Sequence, residues 1–290
     1  MWTNFRSVPL RLHATLPARF TSPRPSEWAR SKRGRAELGC FLEGPACDRA
    51  GNLYVVDIPF GRIFRLTPAG GWEQVTEYDG WPNGLKIDGA GRLLVADHKR
   101  GLIRIDPASG ERTVLLDQIN GAPLLGLNDL TLAADGVIYT TDQGNTGLTD
   151  PRGRVLRLRA DGAAEIILDN GPSPNGLVFN DKEQLLHVAM TRANAVWRAP
   201  LLDGRAHRVG VAIQLSGGVG PDGLAFDQHG ALLVAHPQVG VWRFDHVGRP
   251  RELFEVGDAL LTNVAVRADG NRAAMFVTDS GNGRIFAADI

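Results

Sequence analysis

Residues 48–66 read DRAGNLYVVDIPFGRIFRL, and this stretch decides the fold. It begins with a D-x-x-G turn, continues as the apolar strand LYVVD, turns again and ends as a second apolar strand, RIFRL. Asp and Gly at this spacing favour a tight turn. Aliphatic β-branched and aromatic residues between two such turns are typical of strands. The stretch therefore predicts a β-hairpin.

The same unit occurs six times along the chain. The second copy, DGAGRLLVADHKRGLIRID, begins at Asp88, and later copies begin at Ala133, Asn180, Asp227 and Arg267. The steps between turn positions are 40, 45, 47, 47 and 40 residues, counted at Gly51, Gly91, Gly136, Glu183, Gly230 and Gly270. Each unit also has a strand before its turn and often a fourth after the hairpin. Four strands per period of this length are typical of a propeller blade.

Six such units predict an all-β, six-bladed β-propeller with four-stranded blades. The last unit reaches Ile290 at the end of its third strand. Residues 9–16, PLRLHATL, alternate in polarity, and we expect them to supply the missing strand, so that an N-terminal strand closes the ring in the last blade. Residues 1–36 are thus predicted to form an N-terminal segment with this strand, and residues 37–290 the propeller, within a single domain overall.

Composition excludes several function classes. The 290 residues are 43% hydrophobic, which excludes a disordered chain, and 32 basic residues balance 32 acidic ones. This balance argues against a nucleic-acid partner. No run of eighteen apolar residues occurs, which argues against a membrane span.

The N-terminal segment and the cysteines indicate where in the cell the protein is expected. Residues 1–36 hold eight basic side chains and one acid, Glu27. There is neither a secretory apolar run nor a small-residue cleavage site, so we interpret the segment as a basic surface loop rather than a targeting peptide. Cys40 and Cys47 are too few for a zinc site or a disulfide framework and are expected in the core. We expect a cytoplasmic protein.

A polar residue precedes each turn position by eight residues. These residues are Glu43, Asn83, Asn128, Asn175 and Asp222; in the sixth unit the position falls on Thr262, with Asn263 beside it, and the register there stays open. Asn-Gly and Asp-Gly also form turns, but repetition at one register favours a functional ring. Because innermost strands line a propeller's channel, these side chains are expected to converge. Carboxylates among amide oxygens favour a hard divalent cation over structural zinc.

The motifs LEGP, LND, PNGL and PDGL, in this order over residues 37–290, resemble the senescence marker protein/gluconolactonase family, which includes luciferin-regenerating enzymes. The resemblance implies a six-bladed propeller lactonase with one divalent cation in its channel: Ca²⁺ first, with Mg²⁺, Mn²⁺, Zn²⁺ or Fe²⁺ as alternatives. It implies Glu43, Asn175 and Asp222 as metal ligands and Asn128 as a ligand of the metal or of substrate. It also implies Asp222 as the catalytic base.

One position departs from this family pattern. Sugar-lactonase members often have an arginine two residues before the third-blade asparagine, where it contacts sugar hydroxyls. Here that position is Gly126. The departure argues against an aldonolactone substrate more than against lactone hydrolysis.

The loops between the second and third strands of the blades open on the same face as the polar ring. Histidines there suit proton transfer or substrate binding, an arginine suits an anionic product, and a phenylalanine suits an apolar wall. Turn formation is the alternative role for Asp142, because Asp97 and Asp279 share its blade position. The candidate substrate-binding residues are Asn83, Asn128, His98, Asp142, Gln143, Arg192, His236 and Phe60.

Three functions are compatible with this pattern. The leading hypothesis is a divalent-metal-dependent hydrolase that opens a small soluble lactone, a sugar lactone or another catabolic lactone, with the metal polarising the carbonyl and activating water. An organophosphate hydrolase on the same site and a non-catalytic binding propeller with a structural metal are the alternatives. The motifs of serine hydrolases, zinc proteases and nucleotide binders are absent. The expected partner is a small-molecule lactone.

Overall fold

The turn that opens each repeat unit follows from its Asp and Gly. In the first unit Asp48 Oδ1 accepts a hydrogen bond from the Asn52 backbone N–H over 2.9 Å. Gly51 has φ of 84°, a left-handed conformation that glycine adopts without steric cost. The computed structural model of the chain describes residues 4–180, 182, 184–270 and 272–290, so Glu183, the predicted turn residue of the fourth unit, lies outside the described residues.

The strands form six antiparallel blades around a central channel, as predicted. From the inside outwards, the first three blades are β5 Leu42–Cys47, β6 Leu53–Asp57, β7 Arg62–Leu66 and β8 Trp72–Glu77; β9 Pro82–Ile87, β10 Leu93–Asp97, β11 Gly101–Ile105 and β12 Arg112–Leu116; and β15 Leu127–Leu132, β16 Ile138–Asp142, β17 Gly153–Leu158 and β18 Ala164–Gly171. The last three are β19 Pro174–Asn180, β20 Leu185–Met190, β21 Ala195–Leu202 and β23 Gly210–Gln214; β24 Leu224–Phe226, β25 Leu232–His236, β26 Gly240–Phe244 and β27 Pro250–Glu255; and β28 Leu261–Asp269, β29 Arg272–Asp279 and β30 Arg284–Asp289.

Short elements connect or extend the blades. The remaining short strands are β3 Arg24–Pro25, β4 Glu37–Leu38, β13 Gln118–Ile119, β14 Ala122–Pro123 and β22 Arg205–Ala206, and the single-turn 3₁₀ helices are Ala18–Phe20, Ile58–Phe60, Thr191–Ala193 and Ser280–Asn282.

The N-terminus closes the ring. Strand β2, Arg11–Thr15, pairs antiparallel with β30 as the outer strand of the last blade, which confirms the prediction. Strand β1, Arg6–Pro9, adds a fifth strand to the fifth blade by pairing parallel with β27, which was not predicted. The same short segment therefore joins two neighbouring blades.

The rest of the N-terminal segment is not the surface loop that was predicted. It contains helix α1, Glu27–Arg33, which Ser26 caps by accepting a hydrogen bond from the Ala29 N–H at 3.2 Å. Trp28 and Ala29 are buried, and the Trp28 ring packs on Phe41 with centroids 4.9 Å apart. The capping residue and this apolar pair let the basic segment fold against the first blade.

The core lies between the blades. In one cluster, Tyr54 and Val56 of the first blade pack with Leu93 and Val95 of the second. The second strands are buried on both faces in this way, which holds neighbouring blades together around the channel. Within the described residues, no helix is long and apolar enough to cross a membrane.

Candidate functional site

A cavity of about 480 Å³ opens over one end of the channel. Five of the six predicted ring residues line it: Glu43, Asn83, Asn128, Asn175 and Asp222. They converge because each stands near the start of an innermost strand. In several blades the pairing register shifts at this point, for example between Leu127 and Leu130 of β15, and such bulges redirect side chains.

The sixth position of the ring is Thr262. Leu261 pairs with Asp279 as Leu42 pairs with Asp57 in the first blade, so the next residue, Thr262, is equivalent to Glu43. Asn263 stands one residue further along and is also buried. The pairing thus settles the register that the sequence left open.

Glu43 is buried deeply in this ring. Its side chain is 3% exposed, and Oε2 accepts hydrogen bonds from the Gly44 N–H and from Asn263 Nδ2, both at 3.0 Å. Burial raises the pKa of Glu43 to about 7, although hydrogen bonds from Thr262, Asn263 and Gly44 oppose the rise. Among the described residues Glu43 has no ion-pair partner, although its charge and that of Arg33 act on each other.

Asp222 faces the same cavity and is half-buried. Burial raises the pKa of Asp222 well above its usual range, and the like charges of Glu43 and Asp129 raise it further. Arg33 and a hydrogen bond with Asn175 act in the opposite direction. Because Glu43 and Asp222 repel each other when both are ionised, a positive charge between them would stabilise the pair.

Two asparagines complete the oxygen-rich ring. Asn175 Oδ1 is buried and finds no hydrogen-bond partner among the residues that the structure describes. The Asn128 amide is fixed in orientation because Nδ2 donates to Gln143 Oε1 at 2.9 Å, while Gln143 Nε2 donates to Ser173 Oγ at 3.0 Å. An unsatisfied buried oxygen is costly unless something binds it.

This donor set fits a hard divalent cation. It offers two carboxylates and an unpartnered amide oxygen in one cavity, and oxygen donors suit Ca²⁺, Mg²⁺ or Mn²⁺. In the parts of the chain that the structure describes, no group of three or more His, Cys, Asp or Glu side chains could hold a metal ion. Any cation here would therefore depend on amide ligands as well as on Glu43 and Asp222.

A second layer lies one residue further along the inner strands. Four blades have glycine there: Gly44, Gly84, Gly176 and Gly223; the third and sixth blades have Asp129 and Asn263. A Cβ on Gly84 would lie 2.6 Å from Asp129 Cα, and one on Gly223 would lie 2.7 Å from Asn263 Cα. The glycines thus make room for two polar side chains, from blades on opposite sides of the ring, to fill the channel below the cavity.

Asp129 is the third acid near the axis, and the sequence did not mark it as functional. It is 1% exposed, and Lys86 Nζ lies 3.7 Å from its Oδ1. Its charge acts on both Glu43 and Asp222. Its position after the ring asparagine in the string LND was the only sequence signal that could have found it.

Most of the predicted substrate-binding residues line the cavity, and three do not. The residues in its lining are Asn83, His98, Asn128, Gln143 and Arg192, and those outside it are Phe60, Asp142 and His236.

These three residues have other contacts. Asp142 is fully buried, with Oδ1 accepting from the Gly126 N–H at 2.8 Å and Oδ2 bound to Arg154. His236 is also fully buried, with Nε2 3.0 Å from the Gly217 carbonyl oxygen. The Phe60 ring stacks under the Arg24 guanidinium, 4.0 Å away. These three side chains have contacts within the protein and lie outside the cavity lining, so the substrate-binding role predicted for them stays a prediction that this cavity does not support.

The aspartates at the ends of the second strands share one contact, which differs from the turn formation that the sequence offered as the alternative role for Asp142. Asp57, Asp97 and Asp279 each accept a hydrogen bond from the backbone N–H that precedes an inner strand. Together with Asp142 they tie the start of four of the six inner strands to the second strand of the same blade.

Gly126 has a partner that the sequence did not reveal. A Cβ on Gly126 would lie 2.7 Å from His98 Nε2, so the His98 ring occupies the space beside this glycine. His98 also stacks on Trp81, with centroids 5.7 Å apart. Burial, and to a lesser degree the charge of Lys32, lowers the pKa of His98 to about 4. The cavity therefore presents a neutral imidazole at neutral pH.

Helix α1 contributes a wall of the cavity that sequence analysis missed. Trp28, Lys32 and Arg33 all belong to the lining. Arg33 lies over the Phe41 ring at 4.3 Å, and Lys32 Nζ donates to Asn145 Oδ1 at 2.7 Å. The basic composition of the segment was the available signal, but its place over the channel depends on the fold.

Comparison with known proteins shows which family has this sequence pattern. The sequence model of the SMP-30/gluconolactonase/LRE-like region matches residues 41–289. The chain belongs to this family. This family member is 28% identical over 172 residues to a gluconolactonase of Zymomonas mobilis, a match that covers 51% of this chain and 48% of that protein, so the chain spans about half of its length.

Solved structures agree with the family assignment. A gluconolactonase from Xanthomonas campestris superposes with a TM-score of 0.76, at 26% identity and over 95% of this chain and 97% of that one. The calcium-binding protein regucalcin from Agrobacterium tumefaciens also superposes with a TM-score of 0.76, over 97% and 94% of the two chains. At 20% identity, the similarity to regucalcin shows only that the two chains share a fold.

Proposed function

We propose that this protein is a divalent-metal-dependent hydrolase that opens a small lactone. The observation that carries the proposal is the convergence of Glu43, Asp222 and the unpartnered Asn175 Oδ1 in one cavity. Membership of a family with gluconolactonase relatives supports the reaction class. Calcium is the proposed cation, because the donors are oxygens and a relative of the same fold binds calcium.

Four residues would hold the cation: Glu43, Asn128, Asn175 and Asp222. A divalent cation bound there supplies Lewis-acid polarisation of the lactone carbonyl and a lowered pKa for bound water. The carboxylates would also balance the charge of the site. The protein has already oriented these side chains, since Asn263 and Gly44 hold Glu43 and Gln143 holds Asn128.

The other cavity residues would bind and position the substrate. Asp222 would accept the proton of the attacking water, because it lines the cavity and is not fully buried. Asn83, Asn128 and Gln143 donate hydrogen bonds to oxygens of the lactone, and neutral His98 lies beside them. Trp28 and Phe41 form an apolar wall that excludes water from the ring of the substrate.

Metal exchange tests the proposal. The protein is stripped with chelator and then given Ca²⁺, Mg²⁺, Mn²⁺, Zn²⁺ or Fe²⁺ separately, and acid release is followed with unsubstituted and substituted γ- and δ-lactones. We expect metal-restored hydrolysis. Asp222→Asn should abolish it, and Asp79→Asn, which changes an exposed carboxylate outside the cavity, should not.

Two results would overturn the proposal. If metal raises the melting temperature but no lactone is opened, the site is structural and the propeller is a binding scaffold. If phosphotriesters included in the same panel are hydrolysed and lactones are not, the reaction class is organophosphate hydrolysis.

A further inference from the structure

Three cationic side chains line the cavity. Lys32 and Arg33 come from helix α1, and Arg192 comes from the 3₁₀ helix Thr191–Ala193 of the fourth blade. None of the three takes part in an ion pair in the ranges that the structure describes. Burial lowers the pKa of Arg33, the charges of Asp222 and Glu43 raise it, and those of Arg35 and Arg192 lower it. Arg33 is therefore within electrostatic reach of both acids of the cavity and of a second cation, Arg192.

Arginines elsewhere in the propeller behave differently. Arg62, Arg154 and Arg284 each bind the buried aspartate at the end of a second strand. Those pairs join strands of one blade and serve the fold. The three cations at the cavity have no such contacts: Lys32 binds only a neutral amide oxygen, and Arg33 lies on aromatic rings.

The charge balance of the lining indicates what these cations are for. The cavity has two carboxylates, Glu43 and Asp222, against the three cations, and His98 is neutral. If the carboxylates are committed to a divalent cation, as the proposed function requires, the positive side chains are left without a counter-ion. A cleft lined by one sign of charge concentrates ligands of the opposite sign.

We propose that the substrate is a lactone that carries a separate anionic substituent, which Lys32, Arg33 and Arg192 bind while the lactone carbonyl lies over the polar ring. This inference rests on the proposed function and names the substrate class for the same site. The cavity volume of about 480 Å³ accommodates a small ligand that has a lactone ring and a separate anionic group. A guanidinium binds a carboxylate or a phosphate through paired hydrogen bonds, so either anion satisfies the chemistry.

Matched substrates test the inference. Hydrolysis is measured with a γ-lactone that bears a ring carboxylate, the same lactone bearing a neutral carboxamide and the same lactone bearing a phosphate ester. We expect kcat/KM for one of the anionic lactones to exceed that for the carboxamide by about tenfold or more. The preferred anion distinguishes a carboxylate substrate from a phosphorylated one.

Charge-removing variants locate the effect. Arg33→Gln and Arg192→Gln should each lower this preference several-fold, because kcat/KM should fall more for the anionic lactone than for the carboxamide lactone. Arg30→Gln is the matched control, because Arg30 lies on the same helix outside the cavity lining. Added salt should reduce the preference of the wild-type protein. Equal kcat/KM for charged and neutral lactones, or a preference that survives in both variants, overturns the inference.

A binding measurement separates this inference from the proposed function. Calorimetric titration with glutarate, glutaramide and inorganic phosphate requires no turnover. If no lactone is opened but glutarate or phosphate binds in an Arg33-dependent manner, the anion site stands and the proposed reaction fails. If lactones are opened and neither anion binds more tightly than glutaramide, the reaction stands and the anion site fails.

Discussion

Asn263 of the last blade donates a hydrogen bond through Nδ2 to Glu43 Oε2 of the first blade, over 3.0 Å. The two residues are 220 positions apart in the chain and meet only when the ring is closed. The bond holds a buried carboxylate in place beside the cavity. Ring closure and the arrangement of the candidate metal site are therefore coupled.

Removal of this bond should weaken metal binding. We expect Asn263→Ala to lower calcium affinity about tenfold or more, since loss of a hydrogen bond that orients a metal-ligating side chain typically lowers metal affinity by this factor. Isothermal titration calorimetry of the stripped protein measures the change. Asn52→Ala, at a turn far from the cavity, is the control, and unchanged affinity in Asn263→Ala would contradict the predicted role.

Gly223 is predicted to leave the space that the Asn263 side chain occupies in the channel, and a substitution tests this. We expect Gly223→Ala to lower the free energy of unfolding by about 2–3 kcal/mol, because the new Cβ would lie 2.7 Å from Asn263 Cα. Gly210→Ala is the matched control: it also lies at a strand, and its Cβ would meet nothing within 4 Å. Urea denaturation compares the two variants. Equal stability would show that the channel accommodates a side chain at this point.

The stability of the metal-free protein should fall as pH rises. The pKa of Glu43 is raised from 4.5 to about 7 in the folded state, so between these values the folded protein binds a proton that the unfolded chain releases. The contribution is present at pH 4.5 and lost by pH 7, and it amounts to about 3 kcal/mol at most.

The contribution of Glu43 to the pH dependence of stability is measured as a difference between two proteins. Urea denaturation of the wild-type protein and of Glu43→Gln from pH 5 to pH 8, both with chelator, measures the part that depends on Glu43 and on its charge repulsion with Asp222. The buried Asp57, whose pKa is raised to about 6, titrates in both proteins and cancels. Calcium should stabilise the wild-type protein more at pH 8 than at pH 5, since protons compete for the ligand. Parallel profiles of the two proteins would refute the assignment.

Asp142 and Asp222 should respond in opposite ways to substitution. Asp142→Ala leaves Arg154 and the Gly126 N–H without their partner, so we expect a loss of about 3–5 kcal/mol in stability. Asp222→Asn removes the repulsion with Glu43, so the metal-free protein should be no less stable, while hydrolysis falls by about 10²-fold or more. Thermal unfolding and lactone hydrolysis of both variants test this contrast, and a large loss of stability in Asp222→Asn would contradict it.

The propeller and the register of its polar residues could be predicted from local features of the chain. Turns such as Asp48–Gly51 and the alternating strands after them are local features, and their repetition places Glu43, Asn83 and Asp222 at one register of successive blades. Since the innermost strands of a propeller surround one axis, equivalent positions converge without further information.

Only the tertiary structure decided which other groups meet that ring. Three features join parts of the chain that are distant in sequence. They are the Glu43–Asn263 bond, the insertion of Asp129 beside Gly84, and the position of Arg33 over the channel. Such contacts depend on how the ring closes and where helix α1 packs. The strand period specifies which face of a blade a residue occupies, but it carries no information about the neighbour that folding brings to that face.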